Sequence, residues 1–356
     1  MTESSIPASI DDITPAWLSA VLQSSLPGVE VATVRAEPVG TGQMADSFRL
    51  AIDDATGSGP ATLVAKVPAQ GELSRAAGAA GGYRNEVRFY QDLAHTVSVR
   101  APRCHHSAVT DDSAGFVLVL EDLAPAEQGD QIGGCSIDQA LVAVENLAGL
   151  HGPRWCDRSL YDHDWLGRAE PEAVNFGALL LVDSTQRFNE RYRDRLAGAD
   201  ADVFSAFAAK AEAWMLGRPE RFGLVHGDYR LDNLLFAGAA GGYPVATVDW
   251  QTITIGLPGR DLAYFLGNGL TVEDRRAHER SLVEHYHHTL LGLGVTHYDL
   301  DTCWDDYRFG HFQGPWTTIL GAMHVEQTER GDDMFMAMAS RCGAAIRDLD
   351  SLSLLD

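Results

Sequence analysis

The sequence is poor in cysteine, in positive charge and in long apolar runs, and each shortage closes off a class of protein. Its five cysteines, Cys104, Cys135, Cys156, Cys303 and Cys342, are widely spaced and include no C-x-x-C pair. That argues against a disulfide framework or a zinc site and fits a reducing compartment. Acidic residues outnumber basic ones by 50 to 27, a net charge of −23. A field of that sign repels phosphate backbones and anionic lipid, so neither nucleic acid nor a membrane surface is expected as a partner. A cationic or neutral small molecule is tolerated. No apolar stretch approaches the roughly 20 residues of a membrane span. The opening MTESSIPASIDDITPAWL has no basic segment followed by an apolar one, so the chain is expected to be cytoplasmic.

What the sequence has is 356 residues, with 45% apolar and 22% charged, a balance suited to a core that needs no covalent staples. Its length suggests about two domains. Thr14 followed by Pro15 predicts the start of a short helix, with Trp17, Leu18, Val21 and Leu22 at helical spacing. The period then changes, and 31–39, 47–52 and 62–67 read as strands separated by turn formers. Residues 83–94 read as a helix, 116–120 as a buried strand, and 137–151 as a helix capped by Ser136. Short apolar segments at 222–226 and 245–249 flank a polar loop and a Gly-rich turn. The last hundred or so residues are helix-rich by the same periodicity. The expected fold is therefore α+β, a small strand-rich half over 1–122 and a larger, mainly helical half over 123–356.

The densest chemical signal is His226-Gly227-Asp228-Tyr229-Arg230-Leu231-Asp232-Asn233. An apolar strand leads into a sharp turn bearing an aspartate, and an asparagine follows within the same loop. Phosphoryl transfer needs such a set: one carboxylate to accept the proton of an attacking hydroxyl and a neutral oxygen to help hold magnesium. Asp249 closes the next apolar run, where its carboxylate can emerge at a strand tip; magnesium prefers one or two such carboxylates plus phosphate oxygens. Either aspartate alone would read as a turn cap. Together and in order they read as a catalytic constellation.

HGDYRLDNLLF followed by VATVDWQTITIGLPGRDLAYFL resembles the aminoglycoside phosphotransferase and choline kinase-like superfamily, and most of all its ecdysteroid kinase-like and acyl-CoA dehydrogenase-associated branch. The resemblance runs from about residue 30 to about 325, with its specific part at 224–266. It implies a two-lobed protein-kinase-like fold, with an antiparallel-sheet N-lobe, and ATP-dependent phosphorylation of a hydroxyl on a small molecule, aminoglycoside-like or another alcohol. It implies Asp228 as the catalytic base and Asn233 and Asp249 as ligands of Mg2+. Gly227 stands where protein kinases carry arginine.

Within that frame Gly40, Thr41 and Gly42 are expected to cover the phosphates of ATP, although a G-x-G turn alone is more often a plain hairpin. Ala45 replaces a third glycine. Lys66, in TLVAKVP, is expected to contact the phosphates and to pair with Glu86; Glu72 is the competing partner. Backbone groups from Glu121 to Leu123 are expected to read adenine, while Asp122 equally suits a turn. Asp261 reads as a helix cap or a brace for the catalytic loop. His226 is expected to position the loop, and His285, His287 and His288 to form a solvated helix face. Trp155, Trp165, Trp214, Trp304 and Trp316, with Asp305, Asp306 and Glu326, are candidates for the acceptor site or for core. The alternatives are a nucleotide-binding regulatory protein without catalysis, or a kinase acting on a hydroxyacyl-CoA, a sterol or a protein. Against the last of these, the sequence has no recognisable D-F-G or A-P-E. The sequence does not indicate an oligomeric state.

Overall fold

The computed structural model describes residues 6–40, 45–57, 59–71, 75–76, 78–237 and 243–355. The chain packs as two compact units. The first comprises Met1–His95, Ala101–Pro125 and Val248–Thr252, and the second Thr96–Arg100, Ala126–Thr247 and Ile253–Asp356. Among the described residues no helix is long and apolar enough to cross a membrane.

The first unit is built on an antiparallel sheet. Helix α1 (Pro15–Leu22) begins as its sequence dictates: Thr14 Oγ1 accepts the Trp17 amide at 3.2 Å, and Pro15 occupies the first turn, where no amide is needed. Strands β1 (Val31–Pro38), β2 (Ala45–Asp54), β3 (Thr62–Pro68), β4 (Cys104–Val109) and β5 (Phe116–Glu121) pair in the order β1-β2-β3-β5-β4. The two-residue period of β3 divides it cleanly. Leu63, Ala65 and Val67 pack with Leu18, Leu22, Val117 and Val119. Val64 points to the other face, beside Tyr83, Val87, Phe116 and Leu118, and Lys66 shares that parity. Helix α2 (Tyr83–Arg88) covers this face and continues into a π-helical turn, Phe89–Leu93, so the expected single helix over 83–94 is broken in pitch. A side chain at Gly78 would lie 2.1 Å from the Tyr83 ring, which explains a glycine there. Strand β4 was not legible in the sequence, because CHHSAV does not alternate and all its residues are half-buried.

The second unit is mainly helical. Helix α3 (Ile137–His151) carries a reciprocal cap, with Ser136 Oγ accepting from Gln139 N at 3.2 Å and Gln139 Oε1 from Ser136 N at 3.0 Å. Phe204, Phe207, Trp214, Phe312, Ile319, Met338 and Cys342 share one core. Its aromatic centre is a Phe207–Phe312 stack at 4.8 Å. Two small sheets lie within this unit. Strand β6 (Glu127–Gln128) pairs with β8 (Leu234–Phe236) and β8 with β9 (Val245–Thr247), while β7 (Gly223–Val225) pairs with β10 (Thr254–Gly256). Strands β7 and β8 bracket residues 226–233 and so fix both ends of that loop.

Candidate active site

In the first unit Lys66, Glu86 and Asp249 form one charged cluster. Lys66 Nζ donates to both carboxylate oxygens of Glu86 at 2.7 Å and lies 3.5 Å from Asp249 Oδ1. The Lys66 and Glu86 side chains are 11% and 1% exposed, and Asp249 is 29% exposed, so the open edge of the cluster is its second carboxylate. Burial works against the Lys66 charge, but Asp249 and Glu86 outweigh it and hold the ammonium above its ordinary range. Burial also pushes the Glu86 carboxyl up, against the pull of Lys66. Lys66 and Lys210 are the only lysines in the chain; a compact ammonium stands here in a protein that otherwise uses arginine. Asp249 adopts φ +67, the left-handed region, a conformation that surrounding structure must enforce. The enforcing contacts are a Trp250–Phe89 stack at 3.7 Å and a bond from Asn85 Nδ2 to the Gln251 carbonyl at 3.2 Å.

In the second unit Asp228 is gripped on both carboxylate oxygens. Tyr264 donates its hydroxyl to Oδ1 at 2.8 Å, while Arg230 Nε and Asn233 Nδ2 donate to Oδ2 at 3.1 and 3.0 Å. A carboxylate offers about four lone-pair directions, so three donors orient it and leave room for a further hydroxyl. The Asp228 side chain is 21% exposed. Arg230 is surrounded by protein; burial opposes its charge, and Asp228, Tyr264 and Asp232 more than restore it, raising its pKa. Burial, and then the Asp228 charge, push the Tyr264 phenol well up, so it stays a donor.

The loop backbone is held from outside. Gly227 turns at φ +82, a left-handed conformation suited to glycine. Asp261, fully buried, accepts the amides of His226 at 2.6 Å and Gly227 at 3.0 Å. It lies in the first turn of α4 (Gly259–Gly269), whose cap is Pro258, so it braces the loop rather than capping its own helix. His151, also buried, meets Asp261 through Nε2 at 3.3 Å and the Tyr286 hydroxyl through Nδ1 at 2.6 Å. His226 Nδ1 accepts the Asp228 amide at 3.3 Å, and Gln313 donates to the Gly227 carbonyl at 2.9 Å.

A family model described as "Phosphotransferase enzyme family" matches residues 35–296. The chain belongs to that phosphotransferase family. No curated protein matches it. Among solved structures it is similar to choline kinase from Cryptosporidium parvum Iowa II, at TM-score 0.57 and 10% identity over 90% of this chain and 92% of that one. It is also similar to wild-type aminoglycoside 2'-phosphotransferase-IIIa in complex with GDP, at TM-score 0.54 and 14% identity over 92% and 98%. Plasmodium vivax ethanolamine kinase follows at TM-score 0.53 and 13% identity over 89% and 83%. At these identities the likeness speaks to the fold, which is protein-kinase-like.

The other expected residues of this phosphotransferase fare differently. Gly40 adopts φ +80 after β1, whereas Thr41, Gly42 and Glu72 lie outside the described residues. The Glu121 amide already donates to the Arg103 carbonyl at 2.8 Å, so that N–H is not available to a base edge. Asp122 makes a two-point ion pair with Arg49, at 2.7 and 3.2 Å. Asp306 is no acceptor-site residue: it is fully buried, with Arg218, Arg221 and the Tyr298 hydroxyl on its oxygens. Trp165 and Trp214 are buried in the same way, as core. His287 hydrogen-bonds the Tyr298 carbonyl at 2.8 Å. Among the described residues no group of three or more His, Cys, Asp or Glu is arranged to hold a metal. Sequence reasoning passed over Tyr264, whose place in an apolar helix reads as core, and Gln131, which accepts the Leu231 amide at 2.9 Å and donates its own amide to Asp232 at 3.2 Å.

Proposed function

We propose that this phosphotransferase moves the γ-phosphoryl of ATP to a hydroxyl of a small molecule, and that Asp228 accepts the hydroxyl proton. The observation that carries the reading is the three-donor grip on a partly exposed Asp228 carboxylate. A base so oriented needs no rearrangement to meet an alcohol, and catalysis of a loose phosphoryl transfer is mostly positioning and charge neutralisation. The relatives of similar fold support the substrate class: their structures include complexes with GDP, kanamycin and gentamicin.

Asp249 and Asn233 each carry a donor that would suit magnesium, a carboxylate and an amide oxygen. Magnesium, when bound, neutralises charge on the phosphates. Lys66 meets the phosphates as a fixed cation, with Glu86 holding it in place. Residues 1–122 serve as the nucleotide lobe, with Gly40 towards the phosphates and the backbone of Glu121 and Leu123 near the base; residues 123–356 serve catalysis and acceptor binding. Asp261, with His151 behind it, keeps the turn at Gly227 closed so that Asp228 points out of the loop. We place the protein in the cytoplasm, in keeping with its five free cysteines.

The test is Asp228→Ala with nucleotide binding and turnover measured on the same preparation. The reading requires binding to persist while turnover falls by roughly two orders of magnitude or more. Turnover near that of the parent refutes it.

A further inference from the structure

The helix Gln313–His324 bears on what meets Asp228. Its first residue, Gln313, donates to the Gly227 carbonyl at 2.9 Å and to Thr317 Oγ1 at 3.2 Å, so the helix starts against the turn that carries Asp228. At i+3, i+4 and i+7 from Gln313 stand Trp316, Thr317 and Leu320, on one face. Those three are half-buried, and every other residue from Gln313 to Leu320 is buried. The open stripe of the helix thus begins beside the turn, with Trp316 and Thr317 about 5 Å further along the axis. An open helix stripe ordinarily carries charge. This helix holds no Asp, Glu, Lys or Arg, in a chain that is 22% charged. Departures of that kind are expected at functional sites.

The helix Pro171–Arg191 extends the same character. A side chain at Gly177 would lie 3.0 Å from the Trp316 ring and 3.2 Å from Met215 Cε, so indole and thioether meet over bare backbone. Leu180, three positions after Gly177, is half-buried, and Phe176, four before Leu180, is 69% exposed. The acids of the loop are spent on guanidiniums: Asp232 is buried between Arg230 and Arg330, and Asp228 pairs with Arg230.

We infer that the acceptor is an uncharged alcohol with an apolar body, and that this body lies along Trp316, Leu320 and Leu180 with its hydroxyl end at Asp228. This rests on the assignment of Asp228 as base. In the step itself the acceptor O–H bond breaks and its proton passes to Asp228. The acceptor oxygen bonds to the γ-phosphorus as the bond to the bridging oxygen of the nucleoside diphosphate breaks, and that electron pair leaves with the diphosphate. Thr317 Oγ1 accepts from Gln313 and keeps its own O–H to give to the acceptor. An ammonium placed on this wall would lose its water and find no carboxylate there. An indole alone can hold a quaternary ammonium, so choline is the sharpest counter-case.

The experiment titrates the full chain, with Mg-ADP present, with 1-butanol, 1-hexanol and 1-octanol by calorimetry. It also follows ADP release from Mg-ATP with the same alcohols and with ethanolamine, choline and kanamycin. Affinity and kcat/KM should each rise by about three-fold per added methylene, and 1-octanol should lead the amines by roughly ten-fold or more. Leu320→Asp, at a half-exposed position, and Trp316→Ala should each cut the octanol-to-butanol ratio by about ten-fold in affinity and in KM, with a thermal melt showing that the variants are folded. Affinity that ignores chain length, a ratio unchanged in both variants, or preference for an amine overturns the inference and leaves the phosphotransferase assignment standing. If no alcohol yields ADP, the chain-length dependence of binding and its loss in the two variants decide the inference. Asp228→Ala with the turnover of the parent removes the base assignment whichever way binding falls.

Discussion

Lys66, Glu86 and Asp249 come from a strand, a helix and a segment far along the chain, and they share charge at 2.7 and 3.5 Å. Asp228, Arg230, Asp232 and Asn233 come from one stretch of loop, and Tyr264 joins them from the helix that follows. The first cluster depends on strand parity and on the pinned turn at Trp250. The second depends on a backbone turn, and its brace, Asp261, accepts one main-chain amide on each oxygen, with the His151 ring also on Oδ2. One cluster is set by packing and the other by hydrogen bonding. They should therefore fail differently when cut.

The largest effect is expected at Asp228. Asp228→Asn keeps the shape but removes the proposed proton acceptor, and kcat should fall about a hundred-fold or more with nucleotide affinity nearly intact. Lys66→Met should cost roughly a hundred-fold in kcat/KM, and because it also leaves Glu86 buried without its ammonium, it should destabilise the fold by about 3 kcal/mol. A thermal melt unchanged in Lys66→Met would break the contrast between the clusters. Asp261→Asn puts an amide group where two N–H donors point, and should destabilise by about 2 kcal/mol in urea titrations while lowering kcat. Equal stability with full activity would show that the loop needs no brace.

His311 sharpens the comparison, because it is buried without the partners that both clusters have. Neither ring nitrogen has a hydrogen-bond partner among the described residues, and burial, aided by the nearby Arg275 charge, depresses its pKa from 6.5 to about 3. Between those values the unfolded ring binds a proton that the folded ring refuses. The stability this neutral histidine contributes is thus complete above about pH 6.5 and is lost as pH falls towards 3, at about 1.4 kcal/mol per pH unit. His311→Phe should flatten that part of the acid limb in urea titrations at pH 6 to 4; an unchanged slope would contradict the assignment. The smallest effect is reserved for Glu190→Gln, which removes an exposed pair with Arg193 and should shift stability by less than about 0.5 kcal/mol.

Much of this was open to reading. The caps at Thr14 and Ser136 are local chemistry and sit where their side chains predict. The loop from His226 to Asn233 is contiguous, so its polar spacing survives in the sequence. Strands β4, β8 and β10 were not legible: β4 lacks alternation, and β8 and β10 are three residues long, held by partners distant in sequence. Asp306 was grouped with acceptor-site residues because an aspartate beside a tryptophan looks the same whether it faces a ligand or a pair of arginines. Tyr264 was passed over because an aromatic in an apolar helix gives no sign of where its hydroxyl ends.

The sequence by itself determined which segments are helix or strand wherever period and caps agree, and it carried the loop from His226 to Asn233 whole. Tertiary packing decided which charges meet. A carboxylate's partners depend on register and on which helix covers which face, and those follow from burying apolar surface across the chain. The pairing of Asp232 with two guanidiniums and the turn that aims Asp249 exist only once that surface is buried.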